Sequence, residues 1–184
     1  MEYSITFYTN WHCGSGLSSG ADCDALVAKD KNGLPFVPGK TIKGLLREAA
    51  TEVVKFKKID KGNEKLIKIF GLPYKSNDDD TVNQGETYFS NAQLLKNEED
   101  VLKNSDLTKY LFDSHAFTKI DKNGIAADTS LRRMESVVPC VLYGEILNIP
   151  NGCEDILKDA LKYTKRLGLD RNRGFGRCDF QPLN

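Results

Sequence analysis

The 184-residue chain lacks the features of a membrane or secreted protein. It has no apolar run near the roughly 20 residues that a bilayer span needs. Its first five residues, Met-Glu-Tyr-Ser-Ile, have neither the basic start nor the apolar core of a signal peptide. It also lacks a charge excess, with 26 basic and 26 acidic residues. We therefore expect a cytoplasmic protein without a membrane partner, in which any nucleic acid is recognised by a local charge patch.

Cysteines and histidines are also scarce. The five cysteines form no Cys-x-x-Cys pair, and His12 and His115 are the two histidines. Cysteines without paired spacing in a reducing compartment are expected to be free thiols, which disfavours a zinc centre. Gly39-Lys40-Thr41 resembles the end of a phosphate-binding loop, but the upstream glycine is one residue too far away and two prolines intervene. A nucleoside triphosphatase is therefore rejected.

The apolar pattern predicts strands that alternate with helices. Tyr3, Ile5 and Phe7 alternate as in a half-buried strand over 2–11, and apolar residues from 42 to 54 follow helical spacing. Further segments are a helix at 64–70, a polar loop at 76–84, strands at 86–94 and 137–149, a helical turn at 106–112, a hairpin at 114–133, a helix from Gly152 to Gly168 and a final strand. This order predicts an α+β fold in one domain, 1–184, with a ferredoxin-like (RRM-like) split βαβ core and an inserted hairpin.

Basic residues concentrate at two places. The first is residues 36–47, Phe-Val-Pro-Gly-Lys-Thr-Ile-Lys-Gly-Leu-Leu-Arg, where a positively charged helix start favours phosphate. The second is the basic stretch 158–177. Within it, residues 173–180 partly match the octamer of RNA-recognition modules, although Arg177 stands where that octamer has an aromatic residue. Arginines between glycines can reach phosphates; a tight turn with solvated arginines is the alternative.

Two kinds of side chain are candidates for catalysis. Asp22, Asp24 and Asp30 lie between a glycine- and serine-rich loop and the basic helix. A carboxylate there can hold Mg²⁺ against a phosphodiester or position a 2′-hydroxyl, and ordinary loop acids are the alternative. His12 or His115 can act as the base of a metal-free ribonuclease, but a surface or hydrogen-bonded structural histidine is the commoner case.

Five sequence blocks together resemble the RAMP superfamily (repeat-associated mysterious proteins) of type III CRISPR interference complexes. In the family's order they are residues 12–16, 24–47, 69–71 with 88–92, 120–126 with 131–139, and 171–177. The resemblance is closest to the backbone subunit that polymerises along the guide RNA. It implies a ferredoxin-like core and a thumb hairpin, here about 114–133, that kinks the guide–target duplex at regular intervals.

The resemblance also implies roles for individual residues. Asp24 falls on the position at which cleaving members cut target RNA, so it is the expected catalytic and metal-binding residue, with Mg²⁺ or another divalent metal as cofactor. Phe117 and Ile120 are expected to insert between bases. The full set of expected RNA-binding residues is His12, Lys40, Lys43, Arg47, Phe117, Ile120, Arg171, Arg173 and Arg177.

The expected partners are guide RNA, target RNA, copies of this chain or related RAMP subunits, and other type III effector subunits. Three alternatives remain open at this point. One is a non-catalytic backbone or capping subunit of the same complex. Another is a metal-independent guide-processing ribonuclease that uses His12 or His115. The third is an unrelated ferredoxin-like domain without an RNA role.

Overall fold

The computed structural model describes residues 1–20, 23–72 and 84–183. Their mixture of helices and antiparallel strands confirms the α+β class. In chain order the elements are β1 Glu2–Phe7, α1 Gly39–Lys57, α2 Gly62–Phe70, β2 Tyr88–Phe89, α3 Lys96–Asn104, a 3₁₀ turn Thr108–Leu111, β3 Phe112–Phe117, β4 Arg132–Val137, β5 Val141–Leu147, α4 Glu154–Tyr163 and β6 Cys178–Leu183.

Four strands form an antiparallel sheet in the order β2-β5-β1-β6. The register places Glu2 of β1 opposite Glu145 of β5 and Leu183 of β6, and it places Phe7 opposite Cys178. The connection from β1 through α1 to β2 passes over β5, and the connection from β5 through α4 to β6 passes over β1. Because β1 and β6 are antiparallel neighbours, the last residues of β1 and the first residues of β6 meet at one end of the sheet.

One face of the sheet packs against α1 and α4. Tyr3, Ile5 and Phe7 are at most 3% exposed, which confirms the face predicted for β1. They share a buried cluster with Leu46 of α1 and Leu157 of α4. The apolar stripes of both helices therefore cover the same side of the sheet, and the alternate residues of β1 lie on the other side.

Several predicted boundaries were wrong. α1 begins at Gly39, one residue before the predicted start at Lys40, and a Cβ at Gly39 would lie 2.1 Å from the carbonyl oxygen of Phe89. The helix predicted to end at Gly168 ends at Tyr163, and Leu167 is buried from the loop that follows. The strand predicted over 137–149 is divided between β4 and β5, the one predicted over 86–94 is regular only in β2, and α3 was not predicted. The polar loop predicted at 76–84 lies, except for its last residue, outside the described residues.

β3 and β4 form a separate two-stranded sheet. Their pairs run from Phe112↔Val137 to Phe117↔Arg132, and a further bridge joins Ile120 to Ala126. Most residues from 118 to 133 are exposed, so the hairpin projects from the body. Its base is attached through a bridge between Trp11 and Val137. Among the helices of residues 1–20, 23–72 and 84–183, none combines the length and apolarity needed to cross a bilayer.

Candidate nucleic-acid interface

Three segments meet at the end of the sheet where β1 stops. Residues 8–13 continue from β1 and lie between the base of the hairpin and residues 164–177, which we call the arginine loop. On one side, the Gly176 N–H donates to the Asn10 carbonyl at 2.8 Å. On the other side, the Trp11 N–H donates to the Val137 carbonyl at 3.0 Å. Residues 8–13 therefore connect the arginine loop to the hairpin through backbone hydrogen bonds.

Asp24 is attached to the hairpin strand β4. Its N–H donates to the Arg133 carbonyl at 2.9 Å, and its Oδ2 accepts the Arg133 N–H at 2.7 Å. The next residue, Ala25, forms a parallel bridge with Met134. Asp24 is an exposed residue. The predicted catalytic carboxylate is thus held at the base of the hairpin and is accessible to a ligand.

Glu135 fixes the segment that carries Asp24. Its Oε2 accepts the Val27 N–H at 3.1 Å, and its Oε1 pairs with the Lys29 Nζ at 2.7 Å. Its own N–H donates to the Ala25 carbonyl at 3.0 Å. Sequence reasoning gave no role to Glu135, and its position within the block 131–139 was the only signal for it.

His12 lies inside the fold rather than on its surface. It is 2% exposed, and its Nδ1 is 2.6 Å from the Glu135 carbonyl oxygen. Its own carbonyl accepts the Leu169 N–H at 2.9 Å. A Cβ at Gly168 would lie 2.2 Å from that same carbonyl oxygen. The arginine loop therefore approaches His12 more closely than a residue with a Cβ would allow at this position. His12 joins the hairpin to the arginine loop, and its side chain presents no exposed surface for RNA.

The described carboxylates form no metal cage of their own. Within the described part of the chain, no three or more His, Cys, Asp or Glu side chains are grouped so as to hold a metal ion. Asp22 lies outside that part. Asp24 therefore offers one carboxylate, which does not fit a protein-only cage. It does fit Mg²⁺, which is commonly held by one or two carboxylates together with waters and substrate phosphates.

The predicted cations of α1, Lys40, Lys43 and Arg47, lie within about 60° of one another around the helix axis. Residues 43 and 47 are one turn apart, and the Arg47 guanidinium donates to the carbonyls of Phe70 and Gly71 at the end of α2. Burial, and then the charge of Arg47, lower the pKa of Lys43. Lys40 is exposed at the start of the helix. The structure thus brings Lys43 and Arg47 together beside α2.

The opposite flank of α1 faces the arginine loop. A cleft of about 240 Å³ lies between them, with Glu48 and Glu52 of α1 on one side and Arg166 and Arg171 on the other. At 100° per residue, positions 48 and 52 lie far around the helix from positions 43 and 47. Lys43 and Arg47 are therefore separated from Arg171 by the width of α1.

The predicted arginines of the arginine loop are all exposed. The Arg173 Nη1 lies 3.5 Å from the Asp170 Oδ1, a weak surface ion pair. The guanidinium of Arg177 lies over the ring of Tyr8, with 5.8 Å between its central carbon and the ring centroid. Arg171 and Arg177 have no carboxylate partner among the described residues. These guanidinium groups remain able to bind phosphate.

The two predicted wedge residues of the hairpin differ in their surroundings. Phe117 is half-buried and packs edge-on against Phe175 of the arginine loop, with ring centroids 6.0 Å apart. His115 also packs against Phe175, at 5.0 Å, and its Nε2 is 2.8 Å from the Ser136 Oγ. Ile120 is 56% exposed on the projecting part of the hairpin. Ile120 is thus available to a ligand, whereas Phe117 holds the hairpin against the arginine loop.

Comparison with known proteins gives the family. The RAMP superfamily model matches residues 4–179. No curated protein matches the sequence. The fold is similar to a chain in the cryo-EM structure of the type III-B Cmr-beta bound to cognate target RNA, with a TM-score of 0.70, 11% identity, and coverage of 98% of this chain and 95% of that one. It is also similar to a chain in the apo state of Cmr-beta, with a TM-score of 0.68, 12% identity and the same coverage. Because the family model covers nearly the whole sequence, this chain belongs to the RAMP superfamily.

Proposed function

We propose that this protein is an RNA-binding backbone subunit of a cytoplasmic type III CRISPR effector complex. The observation that carries the proposal is the RAMP match over residues 4–179. The similarity of the fold to chains of Cmr-beta, with and without target RNA, supports it. The strand order β2-β5-β1-β6, with one strand skipped by each helical connection, supports a ferredoxin-like split βαβ core. We assign the β3–β4 hairpin, about 114–133, as the thumb inserted into that core.

Guide RNA is proposed to follow the arginine loop and the start of α1. The exposed side chains of Arg171, Arg173, Arg177 and Lys40 would contact phosphates without reading sequence, as a subunit that accepts any guide requires. Lys43 lies about one turn after Lys40 on α1 and would contact a separate part of the RNA or a neighbouring subunit. Related RAMP subunits, other effector subunits and target RNA complete the proposed assembly.

Target RNA is proposed to be cleaved beside Asp24. A divalent metal bound there would polarise a phosphate and supply a hydroxide nucleophile. The chain's own contribution is to hold the carboxylate in place: the Arg133 N–H orients Oδ2, and Glu135 fixes the segment through Val27 and Lys29. Ile120 and the rest of the exposed hairpin would hold the RNA away from regular duplex geometry next to this carboxylate.

The proposal is tested in the assembled complex with Asp24→Asn. Asn keeps an oxygen that can accept the Arg133 N–H but removes the charge that binds the metal. We expect target cleavage to fall about 100-fold or more, because several kcal/mol of transition-state stabilisation are lost, while guide binding is unchanged. Asp60→Asn, at an exposed site between α1 and α2, is the control. Cleavage at the wild-type rate by Asp24→Asn would refute the catalytic assignment.

A non-catalytic backbone or capping subunit is the second candidate. It is favoured because no group of three or more metal-ligating side chains occurs among the described residues. A wild-type complex that binds target RNA but leaves it intact would support it. The metal-independent ribonuclease is less well supported, because His12 is buried and the Nε2 of His115 is engaged by Ser136. RNA cleavage that persists in chelator and is lost in His115→Ala would support the metal-independent ribonuclease.

A further inference from the structure

Tyr8 and Arg177 form a cross-strand pair just beyond the last pair of β1 and β6. The Tyr8 N–H donates to the Arg177 carbonyl at 2.9 Å, and the Arg177 N–H donates to the Thr9 Oγ1 at 3.0 Å. These bonds continue the ladder that ends at Phe7↔Cys178. The guanidinium of Arg177 lies over the Tyr8 ring, which is still 53% exposed. The backbone therefore fixes an exposed aromatic ring and a guanidinium side by side.

The pair lies on the sheet face that α1 and α4 leave uncovered. Side chains alternate along a strand, so Tyr8 points away from the buried Phe7 and shares its face with Thr6. The residue opposite Thr6 on β6 is Asp179, whose carboxylate is bonded by Lys165 and by Gln181 at 3.0 Å. Lys165 thus neutralises Asp179, so this acid does not cancel the positive charge of Arg177.

This geometry explains the incomplete octamer at residues 173–180. In RNA-recognition modules, aromatic side chains on adjacent strands of the sheet stack unpaired bases. Arg177 occupies an aromatic position of that octamer, and the structure places an aromatic ring directly beside it on the neighbouring strand, at Tyr8. The chain thus carries the ring and the cation on two strands. A guanidinium that stacks on a ring keeps its N–H edge free for a phosphate.

We propose that Tyr8 and Arg177 bind one nucleotide of single-stranded RNA, with its base stacked on the Tyr8 ring and an adjacent phosphate bonded by Arg177. The proposal rests on the RNA binding proposed above and adds a stacking site to it. This site differs from the other proposed contacts of the chain, which involve phosphates or the hairpin. It requires an unpaired base, so it would hold a nucleotide that is displaced from the guide–target duplex.

The test measures binding of a fluorescein-labelled oligouridylate to the full chain by anisotropy at several salt concentrations. We expect Tyr8→Ala to weaken binding roughly 5- to 150-fold with an unchanged salt slope, because stacking is lost and phosphate contacts remain. Tyr8→Phe should bind like the wild type. Arg177→Gln should weaken binding and reduce the salt slope by about one. Tyr110→Ala is the matched control, since that tyrosine is 68% exposed with the Lys109 Nζ over its ring, outside the proposed site.

A second measurement separates stacking from folding. An oligomer of abasic nucleotides has no base to stack, so it should bind the wild type as weakly as oligouridylate binds Tyr8→Ala. Its affinity for the wild type and for Tyr8→Ala should be the same. The melting temperature shows whether Tyr8→Ala is destabilised. If it is, Tyr8→Leu, which keeps apolar bulk, is used in its place. If the wild type binds RNA but Tyr8→Ala and Tyr8→Leu bind equally well, the stacking site is overturned and the RNA-binding function stands. If the wild type binds no RNA, both are overturned.

Discussion

Removing the carboxylate of Glu135 should loosen the segment that carries Asp24. In the wild type, this side chain is 16% exposed and accepts the N–H of Val27, a residue that is itself 2% exposed. In Glu135→Ala, that N–H is left inside the protein without its acceptor. The Lys29 ammonium loses its ion-pair partner but keeps its contact with the Phe112 ring, whose centroid is 4.0 Å away.

The expected loss follows from these contacts. A buried N–H left without a partner costs about 1–3 kcal/mol. The ion pair adds about 0–1 kcal/mol, because the Lys29 side chain is 35% exposed and solvent screens its charge. Glu135→Ala should therefore lower the free energy of unfolding by about 2–3 kcal/mol, which is roughly 4–12 °C in melting temperature for a chain of this size. Glu135→Gln keeps an acceptor for Val27 and should lose about 1 kcal/mol or less.

Urea unfolding followed by circular dichroism measures these values, and amide exchange at Val27 reports the local effect. Lys29→Ala is the control, because it breaks the ion pair and leaves the acceptor of the Val27 N–H in place. We expect Glu135→Ala to be clearly less stable than Lys29→Ala and to exchange its Val27 amide faster. The reasoning is refuted if Glu135→Gln is as destabilised as Glu135→Ala, since the charge rather than the acceptor would then dominate.

Two further predictions concern the arginine loop and its surroundings. Gly176→Ala should lower the free energy of unfolding by roughly 3 kcal/mol, because residue 176 has φ 63° and a Cβ there would lie 1.8 Å from the Leu167 carbonyl oxygen. Gly174 also has a positive φ, but a Cβ there would meet open space. Urea titration should therefore show a smaller loss of unfolding free energy for Gly174→Ala than for Gly176→Ala. Hydrogen bonds from Lys165 and Gln181 lower the pKa of Asp179. This stabilisation is present at pH values above the unfolded-state pKa of Asp179, about 4, and it disappears as the pH falls through the lower folded-state pKa. In Lys165→Met the free energy of unfolding should therefore fall less steeply on the acid side.

The elements with a one-sided apolar pattern were predictable from the sequence. β1 and α1 each bury one face, and their periods of two and 3.6 residues are visible at Tyr3, Ile5 and Leu46. α3 has no buried residue, so it has no apolar stripe to detect. Its signals are local polar contacts, such as the Leu95 N–H donated to the Glu98 Oε2 at 3.1 Å. Contacts of this kind are weak alone and do not stand out in a polar sequence.

The candidate site was predictable only in part, because its contacts join distant residues. The bond between Arg133 and Asp24 spans 109 positions, and no local pattern records the register that creates it. The type of residue at Asp24 and its place among the family blocks were sufficient to single it out. They were not sufficient to show that it is attached to the hairpin. For His12 the same information predicted an RNA contact, whereas close contact with Gly168 and Glu135 buries it.

The distribution of charge along the sheet reconciles zero net charge with a site for RNA. On the uncovered face, the exposed Glu2 and Glu145 lie at the opposite end from Tyr8 and Arg177. Six residues of extended chain separate Glu2 from Tyr8, which is about 20 Å at 3.3 Å per residue. This distance is about twice the Debye length of roughly 10 Å at 0.1 M ionic strength. The acidic end is therefore largely screened from Tyr8 and Arg177, and RNA at the site proposed there would encounter the local positive charge rather than the neutral total.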